Sequence, residues 1–232
     1  MNFFGLTPDS VAERTQLSPA RTPMPTLKQS LCYGGIGFCL ASIAVFAMVG
    51  CSKPWMYQYL GLPGPYVIAT AFFILLAGGI LSRIVIGPGR LVRFYLLFGV
   101  AFFCYAASWV IAYLKLRNLI GELLGSVAGT LLMALILAGA FGTKKALTKL
   151  ILTLLLANSG GYFLGHLLHD AIGGKLGMLL FGAAYGLGFG TGLGYALFLA
   201  QEPIRQSLGS RWHEDSARSP SETSSSRVQP LG

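Results

Sequence analysis

The run Leu176 to Ala200 carries Gly182, Gly186, Gly190 and Gly194, one glycine at every fourth position of an otherwise apolar stretch. Residues at i, i+4, i+8 and i+12 lie on one side of a helix, so these four leave a strip free of side chains. A second helix can approach it almost backbone to backbone. Gly188 and Gly192 add a shorter second strip. In water each such glycine would weaken the helix by about 1 kcal/mol relative to alanine. In a bilayer the backbone has no alternative hydrogen-bond partner, and close packing replaces the missing hydrophobic drive. A helix of this kind belongs in a membrane, packed against others.

Composition agrees. Of 232 residues, 54% are hydrophobic and only 11% charged, with mean hydropathy +0.65, whereas charged residues make up about a quarter of ordinary globular domains. The chain reads as an all-α integral membrane protein. Its formal charge of +9 does not point to nucleic acid, because the Lys and Arg residues sit between apolar runs rather than on one face. Cys32, Cys39, Cys51 and Cys104 form no CxxC pair and read as small apolar residues.

Six spans follow in order. Residues 1–30 are polar, broken by Pro8, Pro19, Pro23 and Pro25, and read as a disordered arm. Leu31 to about Gly50 is the first span, near the roughly 20 residues needed to cross the hydrocarbon. A loop with Pro54, Trp55, Tyr57, Tyr59 and Pro63-Gly64-Pro65 suits the headgroup level. The second span, about Tyr66 to Ile86, is stopped by Gly87-Pro88-Gly89. The third, about Leu91 to Leu114, carries a ring at nearly every turn, read as lipid-facing and packing surface. The fourth, about Leu119 to Phe141, has its own ladder of Gly121, Gly125 and Gly129 and is expected to pair with the glycine strip of the sixth. The fifth, about Leu150 to Leu168, adds Gly161 and Gly165. The expected architecture is a six-helix bundle over 31–200, its fourth to sixth helices packed as a glycine zipper, with a disordered tail over 201–232.

Lys and Arg set the orientation. The arm, the second-to-third and fourth-to-fifth connections and the tail hold Arg14, Arg21, Lys28, Arg83, Arg90, Arg93, Lys144, Lys145, Lys149, Arg205, Arg211, Arg218 and Arg227, thirteen of seventeen. The other side holds Lys53, Lys115, Arg117 and Lys175. Both termini are therefore expected in the cytoplasm, and the protein in a bacterial inner (plasma) membrane. Met48-Val49-Gly50-Cys51 is similar to a lipobox, but the long leading arm and the many spans favour an uncleaved first helix and a free Cys51.

Polar residues near the bilayer are costly and often functional. Glu122 and Ser126 near one end of the fourth span, and Asn158, His166, His169 and Asp170 on the fifth, form a candidate polar cluster at one membrane face. His166 and His169, with Glu122 or Asp170, have weak metal-ligand spacing, and ordinary interfacial hydrogen bonding is favoured over it. A bis-histidine haem would need histidines on two facing helices, and both lie on one. Ser126 with His166 raises nucleophilic catalysis of the rhomboid-type intramembrane protease kind. That family's Gly-x-Ser-Gly is missing from Leu124-Gly125-Ser126-Val127, and the sixth span has no histidine. Asn158, Tyr162 and His166 share one stripe at i, i+4 and i+8, favoured as interhelical hydrogen bonding. No catalytic, metal or cofactor site is expected. The reading is a structural or assembly subunit, partnered by another membrane protein or by itself, with a small-molecule or ion transporter or channel as alternative and an intramembrane enzyme third.

Overall fold

The structure is a computed structural model and describes residues 3–17, 23–61 and 63–210. Among these there is no strand, and six helices are long and apolar enough to cross a membrane. The helices are α1 (Pro8–Gln16), α2 (Leu27–Cys32), α3 (Phe38–Leu60), α4 (Gly64–Leu81), α5 (Arg90–Leu116), α6 (Leu119–Phe141), α7 (Leu147–Ile172) and α8 (Gly174–Ala200). A π-helical turn, Tyr33–Gly37, joins α2 to α3, so the three form one continuous helix, of which Leu27–Cys51 is the first span.

The first span is longer than its apolar run. Its helix starts at Leu27, where Thr26 and Gln29 form a capping box. It runs on to Leu60, past Pro54 and Trp55, through residues read from the sequence as loop. Within the expected headgroup-level loop only Gly61 and Pro63 are non-helical among the described residues, which leave out residue 62. The fourth span falls where expected, with Asn118 as N-cap accepting from the Gly121 N–H at 3.0 Å and Gly142 closing it in the left-handed conformation.

The sixth helix is central, but its main glycine strip does not face the fourth. A Cβ placed on Gly186 would lie 2.7 Å from Cys39 Cα, and on Gly182 3.0 Å from the Phe46 ring. Gly190 and Gly194 face the backbone of Gly34 and Ser30. This strip therefore seats the first span, and the π turn with its two adjacent glycines lies at that crossing. The second strip faces α7, with the Cβ position of Gly188 2.7 Å from Gly161 Cα. Gly161 and Gly165 in turn meet the Tyr185 and Phe181 carbonyls at 3.0 Å. The α6 ladder packs on α5 instead: Gly121, Gly125 and Gly129 would place Cβ atoms 2.8–2.9 Å from Ala112 O, Trp109 Cα and Tyr105 O. The pairing of the fourth helix with the sixth is thus corrected. A bare strip specifies close approach, not which helix makes it.

Gln201 and α1 close the end of the bundle where α4 gives way to α5. Gln201, read as the start of a disordered tail, is 1% exposed. Its Oε1 accepts from Ile86 N–H at 2.7 Å, and its Nε2 donates to the Ile84 and Leu197 carbonyls at 3.0 and 2.9 Å. The chain remains helical over 202–210, with Ile204 and Leu208 buried; the tail beyond lies outside the described residues. Within the stretch read as a disordered arm, α1 buries Val11 and Ala12, preceded by buried Leu6. Val11 packs on Gly87, and Thr7 and Pro8 on Gly142.

Candidate intramembrane pocket

Between α3, α4, α5, α7 and α8 lies a cavity of about 290 Å³. It reaches from Pro65 and Tyr66 in the first turn of α4 down to Phe73. At 1.5 Å per residue that is roughly 12 Å along α4, a little under half the thickness of a hydrocarbon core. Nine of the sixteen residues around it are aromatic: Phe46, Tyr66, Phe73, Phe102, Tyr105, Trp109, Tyr162, Phe181 and Tyr185. None is Lys, Arg, Asp or Glu. The rings support each other edge to face, as in Phe46–Tyr185 at 6.4 Å and Trp109–Tyr162 at 5.8 Å.

The glycines explain why the rings converge. Where α6 lies against α5 and α7 against α8 without intervening side chains, the bulky residues of α5 and α8 turn to the opposite side. There they meet the rings of α3 and α4, including Phe38 stacked on Phe73 at 5.3 Å.

A polar group sits at the deep end. Tyr105 Oη donates to Asn158 Oδ1 at 2.6 Å and lies 3.1 Å from Tyr185 Oη. Tyr105 has one proton, and it goes to Asn158, so Tyr185 is the donor of the second bond. That leaves lone pairs of Tyr185, a wall residue of the cavity, open to a donor from a ligand. Asn158 is 1% exposed, and its Nδ2 has no partner among the described residues. A second group stands nearer the α5–α6 and α7–α8 turns. Tyr162 Oη and His166 Nε2 are 2.9 Å apart, His166 stacks edge-on with Tyr162 and Phe181, and half-buried Glu122 lies beside the Tyr162 hydroxyl.

The polar residues singled out in the sequence therefore separate. Asn158 belongs to the deep group, and His166 with Glu122 to the upper one. Ser126 is buried in α6, where its carbonyl accepts from Thr130 Oγ1 at 2.7 Å; the His166 imidazole bonds Tyr162 rather than a serine. His169 turns toward α8, its unpartnered Nδ1 3.0 Å from the Cβ position of Gly177, and Asp170 is exposed. Among the described residues no three His, Cys, Asp or Glu side chains come together to hold a metal.

Tyr105 and Tyr185 were not singled out. The rings of the third span divide into packing and lipid-facing surface, Phe94, Phe98, Phe102 and Tyr105 buried and Phe103 outward, but the pattern does not say that Tyr105 meets Tyr185. The available signal was two phenolic hydroxyls in mid-span, groups that need partners where water is absent.

Six apolar helices, five of them around a ring-lined pocket, define a multi-pass helical membrane protein. No protein-family model matches the chain, and neither a curated protein nor a solved structure does.

Proposed function

We propose that this protein binds a small, predominantly apolar molecule inside the membrane and acts as a carrier for it. The observation that supports this is the cavity: about 290 Å³, walled mostly by rings, with hydrogen-bonding groups at mid-membrane depth. Ligand pockets share this make-up, an apolar wall with a few placed polar groups. The ligand we expect is uncharged or a soft cation and offers a hydrogen-bond donor to Tyr185. Ring faces favour both kinds. Beyond Phe73 the interior is filled by buried Phe38, Phe94, Phe98 and Phe189, so transport needs a second arrangement in which these rings part. With both termini cytoplasmic, as the Lys and Arg distribution suggests, the cavity occupies the outer half of an inner membrane.

The assembly reading draws less support. It rests on the lack of a chemical motif rather than on a feature of its own, and the glycine strips that could seat a partner helix meet helices of the same chain.

The test is equilibrium binding of 1-aminoanthracene, an apolar aromatic amine, to purified protein in nanodiscs. Wild type is expected to bind saturably. Ala106→Leu, which adds bulk to the cavity wall, is expected to weaken binding by about tenfold or more, each decade being about 1.4 kcal/mol. Absence of saturable binding to wild type, or equal binding to Ala106→Leu, overturns the proposal.

A further inference from the structure

Two guanidinium groups meet where α1 docks against the start of α5. Arg14 of α1 donates through Nη2 to the Gly5 carbonyl, through Nε to Ser10 O at 2.9 Å and through Nη1 to Pro88 O at 3.4 Å. Arg93, in the first turn of α5, donates through Nη1 to Phe4 O at 3.4 Å. Both flank Gly5, which holds φ +59°. Every partner is a neutral carbonyl, and among the described residues neither arginine has an ion pair.

The surroundings add positive charge. Arg90 spends its Nη1 on the Arg83 and Val85 carbonyls at 3.4 Å. The carboxylates on α1, Asp9 and Glu13, are exposed. Burial first, then the charge of Arg93, lower the Arg14 pKa, with Glu13 opposing. Like charges held this close with no ion pair among the described residues are unfavourable, and each guanidinium has more N–H donors than the carbonyls it binds take up.

The height of this site identifies what completes it. Arg90 and Arg93 lie where a span begins, at headgroup level, and among the described residues Arg83, Lys144, Lys145, Lys149 and Arg205 stand at the same end. Large apolar side chains bracket α1 on the outside: Phe3 and Leu17 are each 80% exposed. Exposed apolar side chains on either side of a short helix at headgroup level are what a helix resting on the acyl boundary would present.

We propose that Arg14 and Arg93 together hold the phosphate of an anionic phospholipid headgroup, and that this headgroup fastens α1 to the bundle. Guanidinium forks match phosphate oxygens, and basic pockets at span ends take anionic headgroups. The lipid supplies the missing counter-ion and ties residues 8–16 to α5. The inference is independent of what the ring-lined cavity binds.

The experiment is amide hydrogen exchange of the full chain in phosphatidylcholine vesicles with and without phosphatidylglycerol, read at residues 8–16. Phosphatidylglycerol is expected to slow exchange there by about 25-fold, about fivefold per arginine, and to leave α6 unchanged. Arg14→Gln with Arg93→Gln should remove that lipid dependence. If the double variant loses protection in α6 as well, Arg93→Lys alone replaces it and must show a reduced lipid effect, since lysine keeps the charge but not the fork. Exchange in wild type that ignores phosphatidylglycerol overturns the proposal, as does a variant that keeps the full effect. Slowing by inorganic phosphate in pure phosphatidylcholine, equal to that by the lipid, would make this a free-anion site and overturn the lipid assignment.

Discussion

Replacing Gln201 with leucine keeps the volume of the side chain and removes three hydrogen bonds. Of the groups left behind, the Leu197 carbonyl still accepts from the Gln201 backbone N–H at 3.2 Å. The Ile86 N–H and the Ile84 carbonyl have only the side-chain amide, because the chain there has left α4 and not yet entered α5. Two buried backbone groups thus lose their partners, at about 1–3 kcal/mol each, so Gln201→Leu should destabilise by about 2–6 kcal/mol. For a chain of this length that is a fall in Tm of roughly 5–20 °C. Thermal unfolding in one detergent, followed by circular dichroism, reads it. Gln206→Leu is the control, since Gln206 is exposed and bonds only Glu202 at 3.4 Å; it should unfold with wild type. Equal unfolding of Gln201→Leu and wild type would refute the clamp.

Glycines at different places should respond with opposite signs. Gly190→Ala forces a methyl group into the Gly34 backbone and should cost about 1–3 kcal/mol. Gly160→Ala, where nothing lies within 4 Å, should be neutral or stabilise by up to about 1 kcal/mol. Chemical unfolding of both in the same micelle checks the order. Tyr105→Phe strips Asn158 of its one partner and should destabilise by about 1–3 kcal/mol. Adding Asn158→Leu should recover part of that loss, a non-additivity that a double-mutant cycle measures directly.

The spans were legible because a bilayer demands long apolar helices and marks their ends with Gly, Pro and charge. The fourth, Leu119–Phe141, has an asparagine cap, a closing glycine and few ambiguous residues between. The first span ends where its apolar run does, within a residue of Cys51, but Pro54 and the following aromatics suggest a loop where helix geometry persists to Leu60. Partners were less legible than spans. Gly186 and Gly190 declare a surface without side chains, but that Cys39 and Gly34 cover it depends on how all six helices assemble. Gln201 and α1 were missed for a related reason. Polar residues next to a span read as solvated unless one knows which backbone groups they face, and Ile86 lies 115 residues away in sequence. The cavity is the least legible feature of all. Its rings come from five helices, and no periodicity on one helix records that they meet.

Native mass spectrometry of the protein extracted gently from its own membrane tests the central claim most directly. The account predicts a single polypeptide carrying a small bound molecule that Ala106→Leu protein lacks. Wild type and Ala106→Leu emerging with identical bound mass, or wild type emerging with a stoichiometric second polypeptide and no small molecule, would contradict it.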